Sequence, residues 1–304
     1  MKRTFTTTTF ALALLGVAAC KGGGGDSVKL IPEAATMVGG VDMKAVVASK
    51  LWTDNKALLE SGQNKEMMDA ATACNLGSDK WQSVAFGMDM TKEQFAFVVS
   101  ADGIGKDENL NCIAGKIKEK SGKDPSKLED KDGKKQLTME GEKGEVGYVV
   151  NENTLVVTSK DWAAAVKELV DGKGKSAFDG SLKDVIGRAD TGKAVWFAGT
   201  IPAEMTKEGP AAGAKDAAGS VDLSSGLGVQ ASVGFASADD AKKKAEELQK
   251  MFDGMKGTAT GMGVPQAAVD SVKIEAKDAA VHVSASISND DMKKVQETVM
   301  KGMM

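Results

Sequence analysis

Gly226-Leu-Gly-Val-Gln-Ala-Ser-Val-Gly-Phe-Ala236 alternates apolar residues with small or polar ones along its whole length. Leu227, Val229, Ala231, Val233 and Phe235 share one face at a period of two, the signature of a half-buried strand. The other face holds Gly226, Gly228, Gln230, Ser232, Gly234 and Ala236. It is so small that the strand can bend there, or something can pack close against it. The same alternation recurs at Val84, Phe86 and Met88, and again at Phe95, Phe97 and Val99 after the turn Met90-Thr-Lys-Glu93. Val146, Tyr148 and Val150 lead through Asn151-Glu-Asn153 into Leu155-Val-Val157, a predicted hairpin. Val272, Ile274 and Ala276, then Val281, Val283, Ala285 and Ile287, complete the set. Antiparallel sheets with one wet face read this way.

Between these stretches the apolar spacing changes to three, four and seven, which predicts helices. The stripes are Leu110, Ile113, Ala114 and Ile117; Trp162, Ala165, Val166, Leu169 and Val170; Ala238, Ala241, Ala245, Leu248 and Phe252; and Met292, Val295, Val299 and Met300. Ser181-x-x-Asp184, Ser237-x-x-Asp240 and Ser288-x-x-Asp291 open helical stretches with capping-box-like pairs, the serine oxygen accepting an orphan backbone N–H. The predicted class is α+β, with antiparallel β-sheets and helices packed on one face. The order strand, strand, helix, strands, helix over 82–171 repeats over 193–302. That predicts two ββαββα-like halves, 28–175 and 176–304. An internal duplication and chance recurrence of a common pattern both account for it. Lys118 to Lys135, rich in charges of both signs, reads as a solvated loop, and the Gly- and Ala-rich stretches Gly209 to Ser220 and Gly254 to Val264 also read as loops.

The first residues have a different character. Lys2 and Arg3 precede a threonine-rich approach, an apolar run from Phe10 to Ala19, and Val17-Ala-Ala-Cys20. This is the charged, apolar, small-residue order of a secretory signal, and the run is short of the roughly 20 apolar residues that span a bilayer. With cysteine at the cleavage point it resembles the lipobox of bacterial lipoproteins. The resemblance implies removal of residues 1–19, a diacylglyceryl group on the Cys20 sulfur and an acylated amine. Chains contributing about 0.8 kcal/mol per buried CH₂ make such an anchor effectively permanent. Residues 20–27, Cys-Lys-Gly-Gly-Gly-Gly-Asp-Ser, are expected to form the anchored end and a flexible tether. Lys21 beside the anchor, where lipoproteins kept at the inner membrane carry Asp, implies an outer-membrane location.

Assigning Cys20 to lipid leaves Cys74 and Cys112. In an oxidising compartment they are expected to form a disulfide; two buried thiols are the alternative. Two cysteines without histidine or a CxxC spacing make a poor metal set, so no metal or cofactor is expected. The net charge of −4, more acidic once Lys2 and Arg3 are removed, disfavours nucleic acid as a partner.

Catalytic patterns are missing from the sequence. The single histidine, His282, alternates out of the Val281 face together with Ser284 and Ser286, and reads as a residue on the solvated side of a strand rather than a general base. No Ser-x-x-Lys occurs. Gly172-Lys-Gly-Lys-Ser176 has Leu169 where a phosphate loop needs glycine, and it follows a helix. Asp130-Lys-Asp-Gly133 has Leu128 at the first position of a calcium loop. The methionines, Met67-Met68 and Met88-x-Met90 among them, read as core filling rather than copper ligands. Two functions are therefore expected: a non-enzymatic envelope lipoprotein, held at the membrane by its anchor and acting on envelope proteins by contact; or a carrier or sensor of an apolar ligand held between sheet and helices, with strand 226–236 as the motive.

Overall fold

The strands predicted for the two halves join edge to edge in one antiparallel sheet of twelve strands. The computed structural model describes residues 25–59, 61–121, 126–131, 134–139, 144–209 and 211–302. The chain enters through α1 (Gly25–Val28), β1 (Met37–Asp42), α2 (Met43–Ala48), α3 (Lys50–Leu59) and α4 (Gly62–Ala73). It continues through β2 (Trp81–Asp89), β3 (Gln94–Ala101), α5 (Asp107–Ser121), β4 (Ser126–Lys131), β5 (Lys134–Met139), β6 (Val146–Asn151), β7 (Thr154–Thr158), α6 (Ala163–Val170) and α7 (Lys183–Ile186). The second half contributes β8 (Val195–Thr200), β9 (Asp216–Asp222), β10 (Gly226–Gly234), α8 (Ala238–Gly261), α9 (Gln266–Asp270), β11 (Lys273–Lys277), β12 (Ala280–Ser288) and α10 (Asn289–Gly302).

The strand order is β11-β12-β10-β9-β8-β1-β2-β3-β7-β6-β5-β4. From the central β1–β8 pair outward, each side runs through a three-strand meander. A helix follows, and then a hairpin whose second strand pairs with the third strand of the meander. The halves thus share a topology, with β4 and β5 added on one side. Phe95 to Ala101 and Gln230 to Ala236 fall at equivalent places, as do Leu155 to Ser159 and Val281 to Ala285.

Alternation along each strand assigns side chains to two faces. On the first face Val38, Ala85, Val98, Val156, Trp196 and Ala218 meet Val28 of α1, Ile31, Val166 of α6 and Val185 of α7 in the main core. The second face is covered at one end by α4 and α5, with Leu76, Ala101, Ile104, Leu110 and Leu155 buried between them. At the other end α8 packs Ala241 and Ala245 over Phe235 and Val281. The α+β class holds, and helices occupy both faces because the sheet presents apolar residues on both.

Four segments differ from the sequence reading. The tether was expected to run through Ser27, but Ser27 and Val28 are buried. The Ser27 hydroxyl lies 3.3 Å from that of Ser83 and 3.2 Å from that of Ser100, so α1 belongs to the body. The predicted loop Lys118 to Lys135 holds the end of α5, strand β4 and the start of β5, with Leu128 opposite Leu137. Gly209 to Ser220 runs into β9, and Gly254 to Val264 is largely the last turns of α8. Cβ atoms at Gly254, Gly257 and Gly261 would meet nothing within 4 Å, so these glycines line an exposed side of the helix without disturbing packing. Of the predicted caps, Ser237 accepts from Asp240 N–H at 3.2 Å and Ser288 from Asp291 N–H at 3.1 Å. No side chain caps α7, which opens after Leu182.

The β2–β3 turn is fixed by buried Asp89. Its Oδ1 accepts from Thr91 Oγ1 at 2.6 Å and from the N–H groups of Thr91 and Lys92 at 3.0 and 3.2 Å. The Thr91 hydroxyl, opposed by burial and helped by Lys92, holds this carboxyl below the usual carboxylate range. A depressed native pKa adds stability above the unfolded value of about 3.9, and that stability is lost as pH falls through the native value. Asp89→Asn is accordingly expected to cost about 1 kcal/mol at neutral pH, with the gap to wild type closing in acid. Urea midpoints at neutral pH and at about pH 3 check this; a gap that stays constant would refute the assignment.

Candidate functional site

An apolar pocket of about 400 Å³ lies between α4, α5 and the second face of the sheet. Ala70 and Ala71 of α4 and Ile113 of α5 form its helical side; Trp81 of β2 and Val99 and Ala101 of β3 form its floor. Leu76 and Ile104 complete the apolar lining, and the polar lining comes from Glu66 and Lys116. Lys116 Nζ donates to Glu119 at 2.8 Å. The small alanines of α4 keep the helix from filling the space over the sheet. Trp81 is fixed on two sides: its Nε1–H donates to Leu76 O at 2.9 Å, and its ring meets Trp52 of α3 edge to face at 6.4 Å. A second hollow of about 250 Å³ shares Trp81 and Val99 and reaches Met43 and Val84. The volume of the main pocket falls in the lower part of the 300–1,000 Å³ range of small-molecule sites.

Cys74 and Cys112 are joined in a disulfide. Cys74 caps the C-terminus of α4 and lines the pocket, while Cys112 lies within α5. The bridge therefore ties together the two helices that roof the pocket. Cys20 lies outside the described residues. Sequence reasoning had no means of finding the pocket, because its walls come from a helix, a hairpin and a second helix with no shared motif.

Between the α4–α5 pair and α8 the second face is left open by the described residues. Phe97 is 38% exposed, Phe197 41% and Val229 38%. Phe86 lies over Gly39, where a Cβ would collide with its ring, and Phe197 lies over Gly219 in the same way. Aromatic rings that cover the bare backbone of a neighbouring glycine help to pin the register of the pairing. The result is an aromatic stripe open to the surroundings.

Strand 226–236 does not carry the apolar pocket it was expected to motivate. Its small face looks onto a polar trough, while its larger face packs toward α8 through Val233 and Phe235. His282 sits on the small-residue side opposite Ser232, and is partly buried. Nearby, Lys193 Nζ donates to Asp222 Oδ2 at 2.7 Å. That bond, followed by those from Ser224, holds the Asp222 carboxyl far below the usual range and raises Lys193. Among the described residues no three His, Cys, Asp or Glu side chains stand together as a metal set, and no helix is long and apolar enough to cross a membrane.

These features define an α+β protein in which paired helices roof an apolar pocket on a single wide antiparallel sheet. The fold is similar to that of TP0453 in three of its crystal forms. Form III superposes with a TM-score of 0.54 at 7% identity over 88% of this chain and 96% of that one. Form IV gives 0.52 at 8% over 90% and 95%, and form I gives 0.52 at 8% over 88% and 95%. At such identity the likeness is one of fold. No protein-family model matches the sequence, and no curated protein matches it.

Proposed function

We propose that the chain is a lipid-anchored envelope lipoprotein that works without catalysis, its body carrying an apolar ligand in the pocket beneath α4 and α5. The observation that carries this reading is the pocket itself: about 400 Å³, walled by alanine, leucine, valine, isoleucine and tryptophan. Burying a linear apolar chain there is favourable at about 25 cal/mol per Å², and the polar groups of Glu66 and Lys116 suit the head of an amphiphile. The order of Lys2, Arg3, the apolar run and Val17-Ala-Ala-Cys20 supports the anchor. The single histidine and the missing nucleophile motifs support a non-catalytic role. A second reading, contact with another envelope protein, is favoured by the exposed stripe of Phe97, Phe197 and Val229.

The test uses residues 20–304 carrying Cys20→Ser, which takes no lipid and needs no detergent. Native mass spectrometry is expected to show a reproducible added mass that organic extraction removes. Ala71→Trp, which puts an indole into the pocket, is expected to abolish that mass and to weaken binding of the fluorescent fatty acid cis-parinaric acid at least about tenfold, equivalent to about 1.4 kcal/mol. A bare mass, with parinarate binding unaffected by Ala71→Trp, would remove the carrier reading and leave the aromatic stripe as the working surface.

A further inference from the structure

The first face of the sheet, apolar under α6 and α7, becomes polar beyond β9. Register puts Ser220, Gln230, Ser284 and Lys273 in one row across β9, β10, β12 and β11. Ala218, Ser232, His282 and Glu275 form the next row. Two hollows of about 570 and 180 Å³ lie over these rows and share Gln230, Lys273 and Ser284, so they form one trough along the strands. Its floor is shallow because Gly228 and the serines project little. Arg188 borders it, ion-paired with Asp216 and laid across the bare backbone of Gly234, where a Cβ would come within 3.0 Å of its Nη1.

One atom sets this trough apart from an ordinary wet surface. Ser232 is 2% exposed, lines the trough, and its Oγ has no hydrogen-bond partner among the described residues. A buried hydroxyl left unpaired is costly and is normally satisfied by protein, water or ligand.

From this we infer that the trough binds a short neutral oligosaccharide. Its charges balance. Lys193 is held by Asp222 and Arg188 by Asp216, while Lys273 and Glu275, two residues apart on one strand face, carry opposite signs. No net field selects an anion, and covering Gln230 and Ser284 with an apolar group would strip them of water without replacement. Serine hydroxyls and the glutamine amide can each donate and accept, and the His282 imidazole adds ring nitrogens to the row. A chain of sugar rings presents the same capacity along a line, and the two joined hollows, about 570 and 180 Å³, give it room. The site is on the face opposite the apolar pocket, so each stands or falls without the other.

Calorimetric titration of the 20–304 Cys20→Ser chain with chitotetraose, cellotetraose and maltotetraose tests the inference, with inorganic phosphate and a neutral tripeptide alongside. At least one saccharide is expected to bind saturably. Gln230→Ala and Ser232→Ala are each expected to weaken that binding about tenfold, and Ala71→Trp to leave it unchanged. Ser232→Ala has a second signature: its melting temperature should equal or exceed that of the parent, because it removes an unsatisfied hydroxyl. Failure of all three saccharides to bind, tighter binding of phosphate or the tripeptide, or binding indifferent to both substitutions would overturn the proposal.

Discussion

Replacing both bridge cysteines, Cys74→Ser together with Cys112→Ser, is expected to lower stability by about 4 kcal/mol. The bridge closes a loop of 38 residues, and the chain-entropy relation gives that magnitude for a loop of this length. The effect acts mainly on the unfolded chain, which regains the freedom the crosslink removed. A native contribution adds to it, because the crosslinked α4 and α5 share the roof of the pocket through Ala71 and Ile113. Urea denaturation of the oxidised parent and the double variant measures the difference. A loss below about 1 kcal/mol would mean that the β2–β3 hairpin already confines the unfolded loop. Binding of parinarate should weaken in the double variant even in the absence of denaturant, since the roof is then held by packing alone.

Trp196→Ala is the second large effect, expected to cost about 3–5 kcal/mol. Trp196 is 0% exposed on β8, where it stands beside Gly40 of β1 and Ser220 of β9 in register. Its ring meets Phe178 at 6.4 Å, and it belongs to the same core as Val38, Leu182 and Val185. Removing the indole leaves a hole between the central strands and the segment around α7, two parts of the chain that cannot both collapse into it. For a domain of this size the melting temperature should fall by roughly 5–10 °C. Trp52→Ala is the comparison: that ring is only half-buried and touches Trp81 from the rim, so its loss should be distinctly smaller. Equal losses at the two sites would refute the placement of the main core around Trp196.

What could be read from the residues depended on how each strand divides its faces. Strands β2, β3, β10 and β12 alternate cleanly, because one side carries large apolar residues and the other small or polar ones, and the sequence located them all. β1 escaped because Met37-Val-Gly-Gly-Val-Asp42 puts glycine on both faces: Phe86 supplies the bulk over Gly39 from the neighbouring strand, so the apolar signal sits at another position in the sequence. β4 and β5 escaped for a different reason. Lys127, Glu129 and Lys131 pair in register with Thr138, Gln136 and Lys134, and the alternation of Leu128 on one strand and Leu137 and Met139 on the other is too short to stand out among so many charges. The glycines of α8 suggested a loop because propensity penalises them, yet twenty-four residues of helix continue through them. The cysteine pair was legible from its chemistry alone. The apolar pocket was not, since it exists only once residues 66 to 116 are folded onto one another, and the polar rows became a trough only when β9, β10, β12 and β11 were set side by side.

The pairing of β1 with β8 sets a schedule for assembly. Thr200 meets Thr36 across 164 residues of chain, so β1 has one permanent neighbour early, β2, and must wait for the other until two thirds of the polypeptide exists. A chain made from its N-terminus passes through a stage in which the half formed by residues 28–175 is made and β1 is an open edge, able to template the wrong partner. Pairings so distant in sequence also make for slow folding. A cell making this protein therefore has to guard one particular strand for one particular interval, and a chain cut short after α7 would never leave that interval.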